Sequence, residues 1–485
     1  MMRRRSPLAL LLILVLMGVA LRPTAASDLE VTYVETSRNS FNGRPPGLNL
    51  TVSWENSWHN ERNHDAAWIF LKFNQEGAYR HIYLKPGSGR MLWKGDDAMP
   101  DAAIEIAKDG TGLFVHAAEP YRGDLKYHLF VEQDTSRTPF GIRYDRLEGH
   151  GVEMVYIPEG PFTLGDPDTT ALGYGAYYRS DREGRFDRLY AITSSDQTIP
   201  VGPEDDHLYY RADRARYQGD QQGPIPASFP KGFGAFYIMK YEVSQGAYAA
   251  FLNTLSNSAA AHRANFGAPR YVDNGGSITL EDGTYRAAHP ERRNVYWHWD
   301  DMMAFADWAG LRPYTEFEYT KAARGPLEPK PIEYAWNTSS TDRMAQRIDP
   351  ESQSAIMMNG LDESDLTNAN RVQFGASYYW VMDLAGSMWE KVITPGDSVG
   401  RSFTGQHGDG AITGYGFADV DEWPEGISGA AGYGYRGGGY YGGQPYLSDF
   451  VPFSPIAFRR YGAWSGGPRN AAYGFRAART APSDS

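Results

Sequence analysis

The spacing of hydrophobic positions changes along this chain, and each change marks a different kind of element. From Leu48 to Trp54 the sequence "LNLTVSW" alternates, with Leu50, Val52 and Trp54 on one face, and "AAWIFLKF", "RHIYLK" and "KYHLFVEQ" follow with short polar breaks. Period-two alternation punctuated by Gly, Pro and Asn predicts a small β-sandwich over residues 27–148. Past Gly151, "VEMVYIPEGPFTLGD" reads as strand, turn and strand. A polar, weakly periodic stretch over about 166–230 then reads as an irregular insertion.

The period becomes helical after Phe236–Val243, which reads as a strand. Ser244 is placed to cap a helix with Tyr248, Phe251 and Leu252 on its inner face. "WDDMMAFADWAG" buries Met302, Phe305, Ala306 and Ala309 and stops at Gly310. In "RPYTEFEYTKAARG", Thr315 and Glu318 have capping-box spacing and Gly325 ends the helix. Glu316 and Glu318 are two apart and do not share a helix face, so they read as first-turn partners of the helix dipole and not as an acid–base pair. After Gly325 the tail is loops and short strands, dense in Gly and Tyr.

The opening, "MMRRRSPLALLLILVLMGVALRPTAAS", adds a compartment. A basic start, an apolar run from Leu8 to Leu21 and small residues at Thr24–Ala26 predict a signal peptide over residues 1–26. The run is shorter than the roughly 17 to 25 residues of a bilayer span, so the expectation is a secreted or periplasmic protein with no transmembrane anchor after cleavage. Losing the four leader arginines moves the formal net charge from −12 to −16, which gives no electrostatic reason to expect nucleic acid as a partner. The chain has no cysteine, which excludes disulfides, thiolate metal sites and a cysteine nucleophile. Its 33 Tyr, 12 Trp and 53 Gly suit a fold of tight turns plugged by aromatic rings, and equally a carbohydrate or peptide groove. His59 and His64, in "SWHNERNHD", read as a surface pair on a loop.

In order, "MVYIPEGPFTLGD", "FYIMKYEVSQGAYAAFLN", "WAGLRPYTEFEYTKAARG", "YAWN", "DLAGSMWE", "RGGGYY" and "YGFRAART" resemble the formylglycine-generating enzyme, or sulfatase-modifying factor, family over about 151–480. The resemblance implies an α+β, C-type-lectin-like fold with few regular elements over residues 151–485. Members that make formylglycine resemble one another in using two cysteines that bind copper; this chain has none, so that mechanism is excluded. Sulfoxide synthases and siderophore-maturation proteins look similar in this domain and keep a non-cysteine enzyme open as an alternative. "DLAGSMWEKV" is similar to a segment that wraps calcium in the family, which maps a structural Ca2+ site to Gly386, Met388 and Glu390. Ser387 and Lys391 depart from that pattern, and Lys391 beside Glu390 offers a charge in place of the ion.

The resemblance places a possible ligand cleft at His407, Tyr440, Tyr441, Asp449, Arg459, Arg460 and Trp464, in the C-terminal loops. The arginine pair suits a bidentate carboxylate, and His407 lies near Asp409. With no catalytic residue assigned, the favoured expectation is an exported noncatalytic recognition or structural protein. Its partners would be protein or glycan at the cell surface, or a second copy of itself. The alternative is a secreted or periplasmic oxidoreductase or modifying enzyme with a non-cysteine site.

Overall fold

The computed structural model describes residues 28–37, 47–138, 146–181, 185–213, 215–267, 270–344, 346–348, 356–358, 361–386, 388–425, 431–441, 444–445 and 454–482. The expected leader lies outside them. Among the described residues no helix is long and apolar enough to cross a membrane.

Among the described residues nine strands come first: β1 (Glu30–Ser37), β2 (Gly47–His59), β3 (Asp65–Gln75), β4 (Ala78–Ile82), β5 (Arg90–Lys94), β6 (Ala102–Ile106), β7 (Leu113–Ala117), β8 (Tyr121–Glu132) and β9 (Arg146–Ile157). β1, β2, β8 and β5 form one antiparallel sheet. β6, β7, β3 and β9 continue through the strands Phe236–Met239, Ala477–Thr480 and Arg312–Pro313 in an eight-stranded sheet, with β4 on β3. The two sheets face each other across a core that includes Leu50, Val52 and Trp54 of β2, Ile69 and Leu71 of β3, Val115 of β7 and Leu129 of β8.

β3 is buried on both faces because it is central. Ala67, Ile69 and Leu71 enter that core, while Ala66, Trp68 and Phe70 point the other way, into the core of the C-terminal part. Alternation alone decides which side chain goes where. The division expected at 148–151 falls inside β9, which pairs with β3 on one side and with Phe236–Met239 on the other. Gly149 and Gly151 look like a break in the sequence, but they make room for β1. A Cβ at Gly149 would lie 2.3 Å from Val31 Cγ1, and one at Gly151 would lie 2.7 Å from Leu29 Cδ2.

The three expected helices form, two of them at the N-caps the sequence predicts. Gln245–Asn253 starts where Ser244 accepts the N–H of Ala247, and Trp299–Trp308 starts at His298. Glu316–Arg324 starts at the Thr315–Glu318 capping box. Gly310 and Gly325 follow with φ of +65°. The 166–230 stretch is mostly irregular yet anchored, since Tyr177, Ile192, Leu208, Tyr210 and Phe229 enter the main core. A small sheet of Tyr433–Arg436, Trp389–Ile393 and Tyr473–Gly474 completes the C-terminal part.

Candidate functional site

The strand Trp389–Ile393 sends alternate side chains into different surroundings, and this sorts the expected site residues. Glu390 is fully buried and its carboxylate accepts two N–H groups of Arg476, Nε at 2.7 Å and Nη2 at 2.6 Å. Tyr314 donates its hydroxyl to the same carboxylate, and Arg476 also donates to the carbonyls of Met239 and Lys240. The Glu390 charge holds the Arg476 guanidinium above its ordinary pKa against the opposing effect of burial. Gly386 donates its N–H to the Gly437 carbonyl, and the Met388 side chain is buried in the main core. A calcium ion at Glu390 would sit against a guanidinium that already neutralises the carboxylate, so Gly386, Met388 and Glu390 do not fit that ion.

Lys391 is not the partner of Glu390. Adjacent strand residues point to opposite faces, and Lys391 enters a chamber of tyrosine rings with its Nζ 5.4 Å from the Tyr433 centroid, 5.8 Å from Tyr435 and 5.7 Å from Tyr473. Among the described residues Nζ has no hydrogen-bond acceptor. Burial pulls its pKa down to about 7 against the upward pull of Asp301 and Asp300. His298, at the head of the Trp299–Trp308 helix, is lowered to about 4 by burial and then by Arg469.

Arg459 is likewise a core residue and not a clamp for ligand. Its Nε and Nη2 each lie 2.8 Å from an oxygen of Glu316, and its guanidinium lies over the rings of Tyr177 and Tyr210. Arg436 completes the cluster, donating to Glu316 at 3.0 Å. Three charges thus share one buried site, and Glu316 stays ionised with its pKa lowered because the two arginines outweigh burial. The role is therefore internal ion pairing, beyond the dipole partnership that its place in the first helical turn suggested. His407 does not pair with Asp409. Its Nε2 accepts the N–H of Thr480 at 3.0 Å and its Nδ1 lies 4.0 Å from Asp109. Tyr440 and Tyr441 form a short strand whose side chains are outside the described residues, as is Asp449.

What the C-terminal loops do assemble is an aromatic shelf. Trp464 lies 5.5 Å from Tyr461, 5.8 Å from Tyr217 and 5.5 Å from Tyr435 between ring centroids. Trp464, Tyr461 and Tyr217 are each half-buried, whereas Tyr435 belongs to the chamber beneath. The backbone fixes the shelf: Ala463 donates its N–H to the Tyr217 carbonyl at 2.8 Å, and Gln218 donates to the Arg460 carbonyl at 2.9 Å. Of the expected cleft residues, Trp464 and the backbone of Arg460 take part. Tyr217 comes from the irregular 166–230 stretch, and no local pattern linked it to the tail.

A cavity of about 440 Å3 opens elsewhere, lined by Lys72, His81, Arg137 and Trp308. Its lysine is satisfied by His81 and by the carbonyls of Trp308 and Gly410, which marks a structural role.

The fold and these motifs define a protein of the sulfatase-modifying factor class. The chain matches the model of the sulfatase-modifying factor enzyme 1-like domain over residues 206–481, more than half its length, and belongs to that family. It is similar to the formylglycine-generating enzyme of Thermomonospora curvata, with 33% identity over 108 residues, covering 22% of this chain and 34% of that protein. The chain therefore spans about a third of that relative's length.

Proposed function

We propose that this chain is an exported, noncatalytic recognition protein that holds a protein or glycan partner on the Tyr217–Tyr461–Trp464 shelf. The observation that carries the reading is the shelf itself: three half-buried rings, from two distant parts of the chain, locked by backbone hydrogen bonds. Large rigid rings give contact area at small entropic cost, and aromatic residues dominate recognition surfaces. Support also comes from Arg459 and Glu390, whose hydrogen-bonding capacity is taken up inside the protein. The absence of cysteine removes the thiol chemistry of formylglycine formation. The test is binding to arrays of glycans and of extracellular proteins, wild type against Trp464→Ala. A selective set of ligands lost in the variant is the expected result. Equal binding by both proteins, or none by either, would sink the reading.

A second reading, an enzyme with a non-cysteine site, draws on Lys391. A lysine with its pKa near 7 is a nucleophile at neutral pH. Trapping with a small aldehyde and cyanoborohydride at pH 7 would label Lys391 ahead of the surface lysines and of Lys72, whose amine burial also lowers to about 7 but which is held by His81 and two carbonyls. No preference for that residue would remove this reading.

A further inference from the structure

β2 ends at His59 and β3 begins at Asp65, so the chain reverses between them. Asn60 builds the turn: its Oδ1 accepts the N–H of Arg62 at 2.8 Å and of Asn63 at 3.3 Å. The reversal sets His59 opposite His64 in an antiparallel bridge, with ring centroids 5.2 Å apart. His116 arrives from β7, and its ring stacks on His64 at 4.0 Å. Neither expected surface histidine is alone: one ring nitrogen from each of the three residues lies within 4.8 Å of the others. His116 is buried, and His59 and His64 are half-buried.

The hydrogen bonds assign the protons. Nδ1 of His59 and Nδ1 of His116 each lie 2.9 Å from the carbonyl oxygen of Ala117. A carbonyl only accepts, so both Nδ1 atoms carry hydrogen and both Nε2 atoms of the neutral rings keep a lone pair. A ring N–H held on a backbone carbonyl is the support that orients a metal-binding histidine. Glu105, from β6, puts Oε1 3.5 Å from Nε2 of His116. With both groups unprotonated two acceptors face each other here, and either a shared proton or a cation between them relieves the repulsion. The third ring, His64, is fixed by a stack on Tyr156 at 4.8 Å and by contact of its Nε2 with the Tyr237 hydroxyl at 3.2 Å.

We propose that His59, His64 and His116 form a site for a divalent transition-metal ion of the Zn2+ type, with Glu105, which lies beside His116 and outside the three-histidine group, turning in as a fourth ligand. Three imidazoles and one oxygen, with no thiolate, suit zinc and equally admit Cu2+ or Ni2+. At metal–nitrogen distances of about 2.0–2.1 Å the nitrogens of a tetrahedral site sit about 3.4 Å apart, so the nitrogens close by about 1.4 Å at most, and His64 turns out of its stack on His116 so that both in-plane lone pairs aim at one ion. The site lies where β2, β3 and β7 meet Tyr237 of the Phe236–Met239 strand, at the seam between the N-terminal strands and the family domain.

The test uses the full chain, stripped with a chelator and titrated with Zn2+ by calorimetry and with Co2+ by visible absorption. One ion per chain is expected, with the ligand-field bands of a tetrahedral nitrogen–oxygen site. His116→Ala should weaken binding by about 100-fold or more, and Glu105→Gln by about 10- to 100-fold. If His116→Ala does not fold, His59→Gln at the partly exposed end takes its place. Absence of binding to the wild-type chain would overturn the proposal and leave a protonated His116–Glu105 pair as the reason for the contact. Unchanged binding in both His59→Gln and Glu105→Gln would overturn it as well.

Discussion

Glu316 and Glu390 each bind a guanidinium across a long stretch of sequence, and neither has any exposed surface. Local spacing shows what a residue does within its own helix or strand, so the capping box was legible and these partners were not. A buried pair gives little net stability while whole, because desolvation offsets attraction, but losing one partner leaves a charge stranded. Arg476→Met is therefore expected to cost about 3–5 kcal/mol in urea unfolding at pH 7. Because the guanidinium occupies Glu390, any shift in Tm on adding calcium should be the same size in Glu390→Gln as in the wild type. Lys391 gives the opposite sign. Its folded pKa lies below its unfolded one, so the unfolded chain binds more protons between about 7 and 10.5, and stability rises with pH through that window. Lys391→Met removes the penalty for burying the ammonium. Its gain in Tm should be largest below pH 7 and fade toward pH 10.5, and a gain independent of pH would contradict the burial of a titrating amine.

At the scale of elements, helix ends are the best-read features because their signals lie within four residues. Ser244, Thr315, Gly310 and Gly325 all act where the pattern placed them. Thr315→Ala removes the oxygen that accepts the Glu318 N–H at 3.1 Å and should cost about 1 kcal/mol in the same unfolding measurement. Strands were harder to read. β2 and β3 were visible as alternation, but the domain boundary expected at 148–151 falls inside β9, across Gly149 and Gly151. Those glycines answer to β1, which crosses them closely. A sequence shows that a glycine is present, and only the packing shows whether it bends the chain or admits a neighbour. The aromatic shelf illustrates the same limit, since Tyr217 meets Trp464 through tertiary contact alone.

For the whole molecule the decisive fact is that one sheet belongs to both halves. β3 supplies Trp68, which is fully buried, donates its indole N–H to the Ala309 carbonyl at 2.8 Å and lies under the guanidinium of Arg479. Met154 and Val155 of β9 depend on β3 for their sheet neighbours, with Ala66 opposite Met154 and Asp65 opposite Val155. A chain beginning at Gly151 would keep the residues matched by the family yet lose β3, β7 and the first part of β9. The remaining strands would present an unpaired edge and an uncovered apolar face, both of which drive association. The expected outcome for that fragment is aggregation or loss of near-ultraviolet circular dichroism, measured against the wild-type chain by size-exclusion chromatography and spectroscopy. Within the intact chain Trp68→Ala should lower stability by about 3–5 kcal/mol in a single transition seen alike by probes in both halves. Two separate transitions, with only the N-terminal one shifted, would show that the halves fold independently and that the shared sheet is a contact between domains. A monomeric fragment with native near-ultraviolet signal would lead to the same conclusion.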